Sequence, residues 1–451
     1  MRPGKDRRFL PVLLVVSVPF LLVQLQRYLS VLPDDGDLVH GFVNESFLGV
    51  YDVFRENFLY GLERDGASIS VYHKGEQVVH LWGGLSNRKE NKTWNVNTRS
   101  AYFSMTKAIS ALCVAMLVDK GMLEYGDLVT KYWPEYGQAG KNRTTIEDVL
   151  THKAGLPYID DDISMEDVEY PEIWMEKFEK AKPIWEPGTA TGYHPVTFGF
   201  LADGIVRKVT GRGIQQFFQE ELGRKYGLNI RIGNSPREAH HVARISQPSM
   251  EEYLRAIVYD PRMVVMLSFL FVRPFDSVID KIRSNPSWLV MEYEKIALND
   301  PEVLKLNLPA VTGVGTADAL ARLFSLAIDG TLLSKSTLEQ LAHPTVDDWH
   351  FERTVVWPVM KGHGFFYEPH PFISGAYLFG HPGYGGQQLV VDPNTGTTIV
   401  YVSNGLKTGS GLLCNTYMRL LDATYKYVTF PSYATFLAYG LSVKSLQAIR
   451  V

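Results

Sequence analysis

The stretch that decides the fold runs from residue 104 to residue 121 and reads Ser-Met-Thr-Lys-Ala-Ile-Ser-Ala-Leu-Cys-Val-Ala-Met-Leu-Val-Asp-Lys-Gly. Its apolar side chains recur at spacings of three and four residues, which is typical of a helix packed against a core. They are Ile109, Leu112, Cys113, Met116 and Leu117. A basic residue followed by glycine, Lys120-Gly121, is a common C-terminal signal. The stretch therefore predicts a helix over Ser104–Lys120, with a serine at its start.

Strand patterns lie on both sides of this helix. Ser68–His73 and Gln77–Trp82 alternate between apolar and polar residues around a short turn, and Gln388–Asp392 and Thr397–Ser403 do the same near the end. Residues 100 to 345 are mainly helical in periodicity, and further helices are predicted at Thr197–Lys208, Ile214–Leu222, Ala317–Ile328 and Cys414–Tyr427. The pattern predicts an α/β (α+β) fold, in which one antiparallel sheet is built from N- and C-terminal segments, flanked by helices and joined to a mostly helical lobe. The cleft between sheet and lobe is the first place to look for chemistry.

The helix start carries a chemical pattern, Ser104-x-x-Lys107. Free backbone N–H groups and the positive end of the helix dipole favour a developing oxyanion beside Ser104. Lys107 lies one turn later on the same face, and a buried lysine can lose its proton and act as a base. The alternative interpretation is a serine that caps the helix and a surface lysine. A second Ser-x-x-Lys, Ser86–Lys89, lies in a polar stretch that predicts a solvated loop.

Several further motifs follow in order along the chain. They are Val149-Leu150-Thr151-His152-Lys153-Ala154-Gly155-Leu156-Pro157, Trp185-Glu186-Pro187-Gly188-Thr189, Gly192-Tyr193-His194, Gly313-Val314-Gly315-Thr316-Ala317 and Gly380-His381-Pro382-Gly383-Tyr384-Gly385-Gly386. Together with the Ser-x-x-Lys helix, the set resembles the family of serine β-lactamases and penicillin-binding proteins, in its class C type. The likeness is strongest to the esterase branch and to animal β-lactamase domain-containing proteins, and it covers about residues 50 to 430.

This resemblance implies roles for individual residues. Ser104 is expected to be the acylated nucleophile, with Lys107 as its proton acceptor or relay. Tyr193 matches the family's catalytic tyrosine, which shares the base role. Independently of the resemblance, His152 precedes a helix-ending turn, Lys153-Ala154-Gly155, and is expected to be structural.

The resemblance also assigns the opposite wall of the cleft. His381-Pro382-Gly383 is expected to replace the family's Lys-Thr-Gly, so that His381 and Gly383 line the substrate site. The backbone N–H groups of Ser104 and Tyr384 are expected to form the oxyanion hole. A literal Lys407-Thr408-Gly409 follows the second late strand instead of preceding the first, and is interpreted as a coincidence.

Two departures from the family pattern narrow the chemistry. His194 stands where β-lactamases carry an asparagine that holds the substrate amide. His381 stands where they carry a lysine that anchors a carboxylate, and a histidine is mostly neutral at pH 7. Both changes disfavour β-lactam and peptidoglycan substrates and leave hydrolysis of an ester or a small amide in place.

Composition excludes other classes of protein. The chain has 451 residues, 45 Lys and Arg against 49 Asp and Glu, and is 45% hydrophobic, which predicts a folded enzyme without the basic surface of a nucleic-acid-binding protein. Its two cysteines, Cys113 and Cys414, allow at most one disulfide, and Cys113 is expected to be a buried thiol. No metal site is predicted, because the 12 histidines contain no His-Glu-x-x-His and His240-His241 cannot share one ion in the way of i,i+4 histidines. No cofactor is expected.

The N-terminal sequence predicts where in the cell the protein is located. Four basic residues precede an apolar run, Phe9–Leu25, whose helical length of about 25 Å is near the lower limit for a bilayer. This favours a single-pass signal anchor that places the catalytic domain in the lumen or outside the cell. A secreted protein with a cleaved signal peptide and a mitochondrial presequence are the alternatives.

The corresponding division of the chain has five parts. They are a basic cytoplasmic segment (1–8), a transmembrane anchor (9–32), a linker (33–49), the hydrolase domain (50–430) and a C-terminal tail (431–451). Glycosylation sequons at Asn44, Asn91 and Asn142 fit a lumenal body.

The sequence thus predicts a membrane-anchored serine hydrolase that forms an acyl-enzyme with a small ester or amide, and it allows a homo-oligomer. One alternative is a catalytically silent relative that binds a ligand or acts as a scaffold. A second is a peptidase for short peptides, which needs a cleft open at both ends.

Overall fold

A computed structural model describes residues 38–264, 278–291, 295–347, 350, 352–354 and 359–429. The predicted segments 1–8, 9–32 and 431–451 lie outside these ranges. Residues 39–43, in the segment assigned as a linker, form the first strand of the main sheet.

One large antiparallel sheet organises the described part of the chain. Its path runs β1-β3-β2-β12-β11-β10-β9-β8, with β4 paired to β3, so that N-terminal strands occupy one half and C-terminal strands the other. A small sheet, β5-β7-β6, lies beside the cleft. The strands are β1 (Val39–Val43), β2 (Gly66–His73), β3 (Glu76–Asn87), β4 (Lys92–Thr93), β5 (Ser100–Ala101), β6 (Ile230–Ile232), β7 (Gly313–Gly315), β8 (Met360–Gly362), β9 (Phe365–Pro369), β10 (Tyr377–Pro382), β11 (Gln388–Asp392) and β12 (Thr397–Ser403).

Helices cover both faces of the main sheet. They are α1 (Leu48–Leu59), α2 (Thr106–Asp119), α3 (Ile146–Leu150), α4 (Met165–Glu169), α5 (Pro171–Lys180), α6 (Thr197–Thr210), α7 (Ile214–Phe218), α8 (Met250–Tyr259), α9 (Val278–Arg283), α10 (Pro301–Leu304), α11 (Ala317–Ile328), α12 (Lys335–Leu341) and α13 (Asn415–Thr429). The first and last of them, α1 and α13, pack together on one face, while α2, α6 and their neighbours form the lobe on the other.

The two faces are separated by the alternation of side chains along each strand. On β12, Ile399 and Tyr401 belong to the core shared with α1 and α13, whereas Val400 and Val402 belong to the larger core of the helical lobe. This is the period-two pattern of a sheet that is buried on both sides. The central strands can therefore be apolar at every position without exposing a face.

Helix α2 lies at the centre of the larger core. Every residue from Thr106 to Leu117 is buried, which is the condition of a helix enclosed on all sides. The apolar stripe in the sequence predicted its existence but understated its burial. Small residues such as Ala108, Ala111 and Ala115 allow neighbouring elements to approach the other faces.

The predicted fold class is confirmed. The strands predicted at Gln388–Asp392 and Thr397–Ser403, and the helix at Ala317–Ile328, are found with the same bounds. The helix predicted over Ser104–Lys120 begins instead as a 3₁₀ turn, Phe103–Met105, and continues as α2. The segment predicted as one helix over Ile214–Leu222 is α7 followed by a π-helical turn.

The predicted membrane location is corrected. Within the described ranges, no helix has both the length and the hydropathy that crossing a bilayer requires. This finding contradicts the single-pass location. The anchor itself was assigned to residues 9–32, which the structure does not describe.

The cysteines and the sequons have defined surroundings. Cys113 and Cys414 are both buried free thiols, and burial raises the pKa of each. The sequon asparagines Asn44, Asn91 and Asn142 are all exposed. Glycosylation at these positions stays a prediction.

Candidate active site

The turn that carries Ser104 has an unusual backbone. Phe103, immediately before it, has a φ of +50°, a left-handed conformation that is costly for a bulky residue. Thr106 stabilises this turn because its hydroxyl donates to the Phe103 carbonyl (2.6 Å) and accepts from the Gly313 N–H (3.0 Å). Strand β7 therefore holds the turn in place, and Ser104 stays partly exposed at the start of α2.

Lys107 is fully buried directly behind Ser104. Its Nζ lies 3.2 Å from the Ser104 Oγ and donates to the carbonyl oxygens of Pro195 (2.6 Å) and Ala310 (3.1 Å). All three partners are neutral. Burial, with no carboxylate partner among the described residues, holds the pKa of Lys107 well below its usual value, so the amine can accept a proton from Ser104.

Tyr193 contacts the same hydroxyl from the other side. A hydrogen bond joins the side chains of Tyr193 and Ser104, and the Lys107 Nζ lies 4.9 Å from the centroid of the Tyr193 ring. Burial raises the pKa of Tyr193 above its usual value. The neutral phenol is thus favoured over the phenolate.

Two buried histidines support the loop that carries Tyr193. His194 Nδ1 donates to the Gly192 carbonyl (2.5 Å) and its Nε2 accepts from the Leu156 N–H (3.0 Å), so both ring nitrogens are used by the backbone. His152 Nδ1 accepts from the His194 N–H (3.2 Å), and its ring lies 4.8 Å from that of Tyr193. Burial lowers the pKa of His194 to about 3 and that of His152 well below its usual value, so both are neutral supports.

The turn after β10 approaches the Ser104 turn closely. A Cβ added to Gly383 would lie 2.7 Å from the Tyr102 carbonyl oxygen, so glycine is needed where the two backbones pass. The rings of Phe103 and Tyr384 are 5.8 Å apart. Among the described residues, neither the Ser104 N–H nor the Tyr384 N–H donates to a protein acceptor. Two unused donors at the mouth of the cleft fit an oxyanion hole.

His381 lies near the end of β10, close to the turn that carries Tyr384. Its ring stacks on Phe366 (4.4 Å between centroids), and its Nδ1 donates to the Pro382 carbonyl (2.6 Å). Burial, reinforced by Lys107, lowers the pKa of His381 to about 3. Its buried Nε2 has no hydrogen-bond partner among the described residues. This position therefore presents a neutral ring with a free lone pair, in place of a cation.

The second Ser-x-x-Lys and the literal Lys-Thr-Gly have structural roles. The Ser86 hydroxyl, at the end of β3, donates to the carbonyls of Lys92 and Thr93, so Ser86 is buried in a strand and the predicted solvated loop is wrong for this residue. Lys407 forms an ion pair with Glu63 (2.6 Å). Neither residue contacts Ser104.

Sequence reasoning missed several residues that complete the site. The carbonyls of Pro195 and Ala310 hold Lys107, but main-chain oxygens carry no side-chain signal. Phe366 stacks on His381, and Glu352 accepts a hydrogen bond from the Tyr193 N–H. Glu352 lies 159 residues from Tyr193, and Phe366 lies on the strand paired with that of His381, but no local motif marks either residue. Three or more His, Cys, Asp or Glu side chains in a metal-binding arrangement are absent from the described ranges.

A serine flanked by a tyrosine and a buried lysine of lowered pKa, with two free N–H donors nearby, has the chemistry of a serine hydrolase. The β-lactamase family model matches residues 54–423, and the chain belongs to this family. It is accordingly a β-lactamase-related serine hydrolase. Its fold and its family thus agree with the resemblance drawn from the motifs.

Individual relatives give the same result. The chain is 29% identical to the esterase/β-lactamase LipL of Mycobacterium tuberculosis over 83% of this chain and 85% of the relative. It is 29% identical to a penicillin-binding protein homologue from Caulobacter crescentus, with a TM-score of 0.71 over 86% of this chain and 99% of that one. It is 26% identical to EstA from Arthrobacter nitroguajacolicus, with a TM-score of 0.70 over 86% and 98%. The specific likeness to animal proteins stays a prediction.

Proposed function

We propose that this protein hydrolyses a neutral ester or small amide through an acyl intermediate on Ser104. The observation that carries the proposal is the position of the Ser104 Oγ between the Lys107 Nζ at 3.2 Å and the hydroxyl of Tyr193. Relatives described as an esterase/β-lactamase and as an esterase support an ester substrate.

In the first half of the reaction, the Ser104 Oγ attacks the substrate carbonyl while its proton passes to the neutral amine of Lys107. The N–H groups of Ser104 and Tyr384 stabilise the negative charge on the carbonyl oxygen. When the intermediate collapses, the bond to the leaving oxygen or nitrogen breaks. The proton moves from Lys107 through the Tyr193 hydroxyl to that leaving atom, and the acyl group stays on Ser104.

In the second half, a water molecule attacks the acyl-Ser104 carbonyl and gives its proton to Lys107, directly or through Tyr193. Collapse of this intermediate returns a proton to the Ser104 Oγ and releases the acid. Because its pKa is raised, Tyr193 acts as a proton relay and not as a standing phenolate.

The neutrality of the substrate is argued from His381. A neutral histidine cannot form the ion pair that a lysine offers to a substrate carboxylate, and its pKa of about 3 keeps it neutral throughout the physiological range. We therefore expect an uncharged acyl group to be preferred over an anionic one.

A fluorophosphonate probe tests the nucleophile. We expect wild-type protein to be labelled at Ser104, as mapped by mass spectrometry, and a Ser104→Ala variant to lose all labelling. Ser86→Ala is the matched control, because Ser86 belongs to the other Ser-x-x-Lys and its hydroxyl is bound to the backbone. Labelling of the control at the wild-type rate assigns the reactivity to Ser104. A folded wild-type protein without labelling would reject the proposal in favour of a catalytically silent relative.

A further inference from the structure

A buried ion pair lies next to the Tyr193 loop. The Lys361 Nζ, on β8, is 3.2 Å from the Glu352 Oε1 and 3.0 Å from the Thr191 Oγ1. The side chains of Glu352 and Lys361 are 0% and 1% exposed. The motifs of the sequence mark neither residue.

The carboxylate of this pair is bound to the backbone of Tyr193. Glu352 Oε1 accepts from the Tyr193 N–H, and Oε2 accepts from the Thr354 N–H (2.7 Å). The Thr354 hydroxyl donates to the Tyr193 carbonyl (3.1 Å). Both main-chain polar groups of Tyr193 are therefore held by the short segment 352–354.

The Tyr193 ring is held by the strand next to Lys361. Phe366 packs edge-on against Tyr193, with 5.7 Å between centroids, and Phe366 is the register partner of Lys361 across β8 and β9. His152 packs against the Tyr193 ring from another side at 4.8 Å. The same pair of strands thus fixes the ring and supplies the cation that neutralises Glu352.

Stability alone does not account for such a pair. Taking two charges out of water costs about as much as their attraction returns, and a hydrophobic pair of similar volume is often as stable. A fixed acceptor for one backbone N–H, in contrast, has a clear use beside a reacting hydroxyl. Displacement of a catalytic group by about 1 Å can lower a rate by about 100-fold.

We propose that Glu352, neutralised by Lys361 and assisted by Thr354, is a positioning residue that holds Tyr193 against the Ser104 hydroxyl. This inference rests on the proposed function, in which Tyr193 relays the proton. Glu352 acts through the main chain of Tyr193 and does not touch the substrate.

Two neutral double variants isolate the hydrogen bond from the charge. Glu352→Gln with Lys361→Met keeps an oxygen that can accept from the Tyr193 N–H, whereas Glu352→Leu with Lys361→Met does not. Neither leaves a buried charge unpaired. With p-nitrophenyl butyrate as substrate, we expect the Leu variant to have a kcat about 30-fold below that of the Gln variant, with KM values within about threefold. A merely structural role would lower the melting temperature of both and leave kcat of the folded protein equal.

A second pair of variants keeps the test decisive if the double variants do not fold. Thr354→Val removes the donor to the Tyr193 carbonyl, and Thr354→Ser retains it. We expect kcat to fall about fivefold in the first and to stay within twofold of wild type in the second. Asp392→Asn is the control, since buried Asp392 is hydrogen-bonded to His370 (3.0 Å) and this pair does not contact the site. It should lower the melting temperature and leave kcat within twofold.

The outcomes separate the two proposals. Equal kcat values for the folded Gln and Leu variants, or for the folded Val and Ser variants, would overturn the positioning role. Failure of wild-type protein to be labelled at Ser104 would instead reject the proposed function.

Discussion

Lys107 and Lys361 are two fully buried lysines near Tyr193: Lys107 lies 4.9 Å from its ring centroid, and Lys361 pairs with the carboxylate that accepts from its N–H. Lys361 has a carboxylate partner, Glu352, at 3.2 Å, whereas the oxygens around Lys107 are a hydroxyl and two carbonyls. Burial lowers the pKa of both, but for Lys361 the charge of Glu352 opposes the effect. The partner, and not the burial, therefore distinguishes the two lysines, because the charge of Glu352 opposes the loss of a proton from Lys361 and the neutral groups around Lys107 do not.

Lys407 provides a third example. It is less deeply buried than the other two, stands in a literal Lys-Thr-Gly, and forms an ion pair with Glu63 at 2.6 Å. A motif can name the residue type that a reaction needs. Whether the side chain is reactive depends on the groups that the fold places around it.

The largest expected effect is on catalysis through Lys107. Lys107→Arg keeps a cation and its hydrogen bonds but cannot give a neutral base, because a guanidinium stays protonated. We expect the rate constant for fluorophosphonate labelling of Ser104 to fall by about 10³-fold, within the range for loss of a general base. An arginine variant that is folded and labelled within tenfold of the wild-type rate would remove Lys107 from the base role.

The second prediction concerns stability. Lys361→Met removes the cation that lies 3.2 Å from the buried Glu352 carboxylate, and we expect the free energy of unfolding to fall by about 3–5 kcal/mol. Lys107→Met removes a buried amine whose charged form has no counter-ion, and we expect it to cost less than about 1 kcal/mol or to stabilise. Urea unfolding at pH 7, followed by circular dichroism, measures both. Equal losses in the two variants would show that the counter-ion does not separate these lysines.

Much of this fold can be predicted from the sequence, because many of its helices and strands follow from local periodicity. The apolar pattern of α11 and the alternation of β11 and β12 need only neighbours along the chain. The Ser104 and Lys107 pair is also local, since one helical turn brings them together. Their order among other motifs was enough to identify the family.

The rest depends on contacts between distant residues. The lowered pKa of Lys107 follows from its burial, and the segments that enclose it include Pro195 and Ala310, which the fold brings from 88 and 203 residues away. Glu352 reaches Tyr193 across 159 residues. For His194, the sequence showed only that it stands in place of the family's asparagine. That both of its ring nitrogens bind the backbone is visible only in the fold.

The third prediction uses pH to identify the base. If neutral Lys107 accepts the proton, the labelling rate should rise about tenfold per pH unit until the pH passes the lowered pKa of Lys107, and level off above it. His194 and His381 have a pKa of about 3 and should add no step near pH 6.5. The midpoint in His381→Gln should thus stay within about 0.5 pH unit of wild type. Loss of the step in that variant would assign the ionisation to the histidine.

The same shift predicts the sign of a stability change. The folded chain binds a proton on Lys107 less readily than the unfolded chain, whose lysine keeps a pKa near 10.4. Wild-type stability, measured relative to Lys107→Met, should therefore rise with pH between the folded and unfolded pKa values, by about 1.4 kcal/mol per pH unit. It should fall as the pH is lowered across that window. A flat difference would mean that folding does not lower the pKa of Lys107.

The smallest effect is expected from a substitution at position 381, which introduces a lysine where the family pattern has one. His381→Lys places an amine with no carboxylate partner near Lys107, so the two charges oppose each other and an anionic acyl group gains a partner. We expect the kcat/KM ratio of mono-p-nitrophenyl glutarate to p-nitrophenyl butyrate to rise about tenfold, because an ion pair in the cleft discriminates by about 1.4 kcal/mol. His381→Gln is the neutral control and should leave this ratio within twofold. If His381→Lys is folded and the ratio does not change, residue 381 does not contact the acyl group. A rise in the ratio would show that the lysine introduced at position 381 pairs with the anionic acyl group. Slower labelling of the same variant would show that the charge of this lysine has changed the protonation of Lys107.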